Sequence, residues 1–97
     1  MSDEYIPQIF MAALAGGKKV DCYFTNGAVK RFDVGIAIQL GGVFAPLADQ
    51  ELFERSMLVY DGVLAFDVTG RRDPYEMVDI CADVIYEQGL DLLVSAA

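Results

Sequence analysis

Paired turn formers cut this chain into pieces too short for long helices. Gly16-Gly17, Asn26-Gly27 and Asp61-Gly62 each stand between apolar stretches. Such pairs supply the positive φ angles that tight hairpins demand. Between the first two, Val20-Asp21-Cys22-Tyr23-Phe24 alternates with period 2, so Val20, Cys22 and Phe24 share one face of a half-buried strand. An apolar run from Ile9 to Leu14 precedes it, bounded by Pro7 and the glycine pair, and Ala28 to Asp33 follows it. The pattern predicts a three-stranded antiparallel meander with a type I′ turn at Asn26-Gly27.

The middle of the chain changes period. Asp33 can cap a two-turn helix over Val34 to Leu40, with Gly41 beyond its end. A loop anchored by Phe44 follows, and Asp49 can cap a second short helix carrying Leu52 and Phe53. Met57 to Tyr60, Asp61-Gly62 and Val63 to Val68 spell a second hairpin. The large apolar residues of these elements, Phe24, Phe32, Phe44, Phe53 and Phe66, are the expected core.

After Gly70 periodicity points to one helix from Pro74 to Gln88. Asp73, Pro74 and Glu76 stand as N-cap, N1 and N3. Met77, Ile80, Cys81, Val84 and Ile85 then recur on one apolar face, with Glu76, Asp79, Asp83 and Glu87 on another. The tail from Leu90 to Val94 is apolar enough to pack on the domain or on a neighbour. The whole reads as one α+β domain of two layers over residues 1–97, with its core over about 7–89 and a tail at 90–97.

Composition narrows the functions. The 97 residues carry 15 acids against 7 bases, a net charge of −8, which opposes binding to nucleic acid or to an anionic membrane. The bases stand mostly in pairs, Lys18-Lys19, Lys30-Arg31 and Arg71-Arg72, and suit solvated turns and edges better than a phosphate patch. Ala15-Gly16-Gly17-Lys18-Lys19 lacks the spacing of a phosphate loop and reads as a hairpin turn. There is no His, which removes the commonest general base and most zinc chemistry. No metal, no cofactor and no catalytic residue is therefore expected. Cys22 and Cys81 read as reduced, mostly buried thiols of a cytoplasmic protein, since the acidic start is unlike a secretory leader and no apolar run is long enough for a membrane span.

The ordered motifs resemble a family. Val20 to Phe24, Asn26-Gly27, Phe32-Asp33, Phe44, Leu47, Asp49, Phe53, Asp61-Gly62, Ala65-Phe66-Asp67, Asp79-Ile80-Cys81 and Tyr86-Glu87 together look like the bacterial domain of unknown function 2442, from about Pro7 to Gly89. Phe66 stands where members often have Trp, and Asp67 to Pro74 resembles a longer-loop subgroup. The resemblance implies a short strand near Val78 to Ile80 and a helix from about Ala82 to Gln88, in place of the single long helix. It implies no agreed activity, although some members sit beside small partner genes of toxin–antitoxin character.

Three functions compete. The first is a protein–protein interaction module, a homodimer or the partner of a second small protein, resting on the 55% apolar content. Self-association would use either an exposed strand edge of the meander or the tail, through Leu90, Leu92, Leu93 and Val94. The second is a small enzyme working through carboxylates, with Asp67, Asp73 and Asp79 as candidates. The third is an acidic decoy that imitates nucleic acid.

Overall fold

The computed structural model describes residues 7–92. The α+β class stands, with two antiparallel sheets and several short helices. The first sheet is the expected meander, β1 (Ile9–Leu14), β2 (Lys19–Phe24) and β3 (Val29–Asp33), extended to four strands by β7 (Leu90–Asp91). The second holds β4 (Met57–Tyr60), β5 (Val63–Phe66) and β6 (Val78–Ile80). Between them run α1 (Gly35–Leu40), a 3₁₀ stretch over Gly42–Ala48 and α2 (Gln50–Ser56). A 3₁₀ turn (Pro74–Glu76) precedes β6, and α3 (Ala82–Gln88) follows it.

Local chemistry sets most boundaries. Asp49 caps α2 by accepting from the N–H groups of Glu51 and Leu52 at 3.0 and 3.4 Å. Asp33 accepts from Gly35 N–H at 2.9 Å, and Gly41, at φ +81°, ends α1. The Asp61-Gly62 turn has both central residues at positive φ, 52° and 81°, as a type I′ hairpin needs. The Asn26-Gly27 turn differs from expectation. Only Gly27 is left-handed, at 94°, and its N–H donates to Phe24 O at 2.9 Å, while Phe24 N–H donates to Ala28 O at 2.8 Å. That is a type I turn closed by a glycine bulge, one residue longer than a type I′ loop. The Asn26 side chain is engaged locally, accepting from Ala28 N–H.

The segment from residue 74 to 88 is not one helix. The Asp73 carboxylate accepts from Tyr75 N–H at 3.0 Å and starts only a single 3₁₀ turn. The chain then extends, pairing Val78 with Phe66 and Ile80 with Leu64, before α3 begins. The short-strand and short-helix arrangement therefore holds, and the continuous acidic helix face does not exist. Glu76 instead pairs with Arg71 at 3.0 Å, Asp79 lies on a strand, and Asp83 and Glu87 alone share a helix.

One core joins both sheets. Val20, Cys22 and Phe24 are fully buried as the alternation requires, with Ile9, Phe32, Leu64, Phe66, Ile80 and Ile85 around them. Phe53 on α2 lies against Phe66 with ring centroids 5.2 Å apart, and Phe24 meets the Tyr86 ring edge-on at 5.1 Å. Four of the five expected phenylalanines are buried. Phe44 is half-buried and packs against the core from the 3₁₀ stretch. A hydrogen bond from Ile9 N–H to Gly62 O, 2.9 Å, ties the first sheet to the turn of the second.

Candidate functional site: an apolar strand edge

Among the described residues, β1 pairs with β2 on one side and with no strand on the other. Its register is regular from Met11 to Leu14, with a bulge between Ile9 and Met11. Ala15 N–H donates to Lys19 O at 2.9 Å at the mouth of the hairpin. Antiparallel hydrogen bonding alternates from that pair, so Ala13 and Met11 bond towards β2. The N–H and C=O groups of Ala12 and Leu14 consequently point away from the sheet. The strand, Ile-Phe-Met-Ala-Ala-Leu, contains no charge and no proline. Phe10, Met11 and Leu14 are 61%, 47% and 43% exposed.

The other sheet edges are guarded differently. β6 carries Asp79 and β7 carries Asp91, the charged edge residues that discourage pairing. β4 is uncharged, but its residues are half-buried apart from Tyr60. The opposite edge of the first sheet, offered by β3, is covered by β7, with Lys30 opposite Asp91 and Arg31 opposite Leu90. Leu92 N–H continues the ladder to Val29 O at 2.9 Å. Exchange of the tail between copies is therefore corrected for its first part, since Leu90 to Leu92 lie on their own sheet. Leu93 and Val94 fall outside the described residues.

A second apolar surface lies between α1 and α3. Phe32 floors it, Ile36, Leu40, Phe44 and Val84 wall it, and it encloses about 320 Å³. Ile36 and Leu40 are 62% and 85% exposed. Sequence periodicity missed this groove because it turned Val84 and Cys81 inward with Ile80 and Ile85. The strand-then-helix geometry leaves Val84 and Cys81 at the surface.

The two thiols part company. Cys22 is wholly buried, and burial, followed by the neighbouring Asp21 charge, pushes its pKa up to about 12. Cys81 is exposed, which corrects the expectation of two mostly buried thiols. Arg31 holds Asp21 in a two-pronged pair at 2.7 and 3.0 Å, and that hydrogen bond raises the guanidinium pKa further. Lys18 donates to Ala48 O and Gln50 while Gln50 donates to Gly17 O, so the glycine hairpin is a brace for α2.

The three candidate carboxylates are not gathered into one cleft. Asp67 lines a cleft beside β4, Asp73 serves as the cap described above, and Asp79 lines the α1–α3 groove. Among the described residues no group of three His, Cys, Asp or Glu side chains could hold a metal ion, and no helix is long and apolar enough to cross a membrane. No protein-family model, curated protein or solved structure matches the chain.

Proposed function

We propose that this chain is a protein-interaction module that pairs with a second copy of itself through β1. The observation that supports the reading is the uncharged, unpaired edge of β1 with three large apolar side chains in solvent. Edge strands of that kind recruit other strands. A two-fold pairing centred on Ala12 brings together the outward N–H and C=O groups of both copies. It sets Leu14 of one copy opposite Phe10 of the other. With no charge on the strand, such pairing juxtaposes no like charges within the new ladder, although the net charge of −8 still repels at longer range.

The test is sedimentation velocity or light scattering near 10 µM, in the range of a weak biological affinity. Wild type is expected to run as a dimer, more so as salt screens the acidic charge. Ala12→Pro removes an N–H that points outward, so the folded chain tolerates it while pairing is lost. Met11→Lys places a charge on the edge and should give the same result. A wild-type monomer at all salt concentrations would refute the proposal.

A second reading concerns a different protein. The α1–α3 groove is apolar inside, with Asp79 at its wall and Asp83 and Glu87 exposed on α3. This combination suits an amphipathic helix with basic flanks. Co-elution of a basic partner that is lost with Leu40→Glu, but kept with Ala12→Pro, would favour it over self-pairing.

A further inference from the structure

The chain has seven bases, and four of them are engaged: Lys18 with Ala48 and Gln50, Lys30 with Asp91, Arg31 with Asp21, and Arg71 with Glu76. Among the described residues, the side chains of Arg55 and Arg72 make neither a hydrogen bond nor an ion pair. Both line one cleft of about 630 Å³ beside the second sheet, with no residue of β1 in its walls. Acids outnumber bases about two to one in this chain, so two unmatched guanidinium groups in one place are unexpected. The volume falls in the range of small-molecule sites, roughly 300–1,000 Å³.

Three further features coincide there. Ser56 is 4% exposed, and its Oγ is buried with no hydrogen-bond partner; Asp67 Oδ1 is likewise buried and unpartnered. Both residues line this cleft, joined by a 2.9 Å bond from Asp67 N–H to Ser56 O. Unmatched buried polar atoms are few in folded proteins, and two in one wall mark polar capacity that the fold itself does not use. Arg72, moreover, is held at φ +60°, a left-handed conformation that a long side chain adopts only at some cost. Its N–H donates to Asp67 Oδ2 at 3.1 Å, which fixes the loop from Asp67 to Arg72 against the cleft. The remaining walls are Met57, Leu58, Tyr60, Val68 and Met77, apolar and in part adaptable.

We infer that this cleft is a binding site for a small organic oxyanion, a carboxylate or phosphate head on an apolar body. Arg55 and Arg72 take the head, because planar guanidinium groups match the oxygens of such groups in pairs. Two cations against the single carboxylate of Asp67 leave the cleft positive in an otherwise acidic molecule. Leu58, Tyr60 and the two methionines take the body. The site lies on a different sheet from β1 and does not depend on self-pairing.

The experiment is a titration of the full chain with phenyl phosphate, benzoate and inorganic phosphate, followed by amide chemical shifts and calorimetry. Saturable shifts confined to residues 55–60, 67–72 and 77 are expected for phenyl phosphate or benzoate, whichever head is preferred, with inorganic phosphate at least tenfold weaker. Arg55→Gln should weaken binding about tenfold. Arg72→Gly separates binding from folding. Glycine suits φ +60°, so this variant should unfold no more easily than wild type, yet bind at least tenfold more weakly. Absence of localised shifts at millimolar probe, or undiminished binding by folded Arg72→Gly, would overturn the inference. So would equal affinity for inorganic phosphate and phenyl phosphate.

Discussion

Two glycines in this fold share a backbone conformation and differ in what surrounds them, which separates strain from crowding. Gly27 sits at φ +94° with no atom within 4 Å of where a Cβ would stand. Gly62 sits at φ +81°, but its Cβ would meet the Gln8 side chain at 3.0 Å to Cδ, 3.1 Å to Cβ and 3.2 Å to Cγ. An L-residue in the left-handed region costs about 1–2 kcal/mol. Losing glycine's freedom in the unfolded chain returns roughly 0.4–1 kcal/mol of that. Gly27→Ala should therefore destabilise by about 1 kcal/mol. Gly62→Ala carries the same cost plus about 1–3 kcal/mol for overpacking, because the Cβ of Gln8 is fixed to its backbone and cannot swing aside. Urea unfolding resolves the two. With a slope of roughly 1–2 kcal/mol per M, each kcal/mol separates midpoints by about 0.5–1 M. Gln8→Gly removes all three crowding atoms, so a double-mutant cycle with Gly62→Ala should recover the excess as coupling energy, while the same cycle with Gly27→Ala should give none. Coincident midpoints for the two alanine variants, or a cycle without coupling at Gly62, would refute the reasoning.

Other outcomes follow from the core and the thiols. Phe66→Ala should cost about 3–5 kcal/mol, and Phe44→Ala distinctly less, since Phe44 is only half-buried; equal losses on chemical denaturation would contradict the packing described. A thiol reagent should label Cys81 at once and Cys22 only on unfolding, which mass spectrometry reads directly. The folded chain keeps the Cys22 proton up to about pH 12, whereas the unfolded thiol releases it near 9.0. The stability from this group is whole below about pH 9 and is lost as pH climbs towards 12. Over that window wild type should lose stability more steeply than Cys22→Ala, and identical slopes would show that the thiol does not contribute.

Where one residue's chemistry decides a local structure, the sequence was sufficient. Asp49 has the side chain to cap α2, Asp61-Gly62 can take two positive φ angles, and Val20, Cys22 and Phe24 can share only one face of a strand. Two errors were of another kind. Asn-Gly suits a type I′ turn, but Thr25 joins the loop and Phe24 closes on Ala28, and the competing bulge needs positive φ at Gly27 alone. The spacing of Met77, Ile80, Cys81, Val84 and Ile85 suits a helix, yet β5 offers hydrogen bonds along Leu64 to Phe66 that a continuous helix would leave unused. A pattern within one segment cannot register a partner strand a dozen residues away. The sites were less legible still. The alternating pattern implies an open edge somewhere on the meander, but not that β1 rather than β3 carries it. The cleft joins Arg55 and Ser56 on α2 to Asp67 and Arg72 on the loop after β5, and no spacing in the sequence announces it.

The short β7 determines how far strand pairing can propagate. It is only two residues long, but it covers β3 and leaves in its place an edge that carries Asp91, so that among the described strands of this sheet β1 is the uncharged edge. Cutting the chain after Gly89 would bare β3 as well. In the proposed pair each copy would then offer a second bare edge, β3, guarded only by the charges of Lys30, Arg31 and Asp33. In the proposed pair β7 is in this sense a terminator of assembly, because it keeps β3 from taking a second partner.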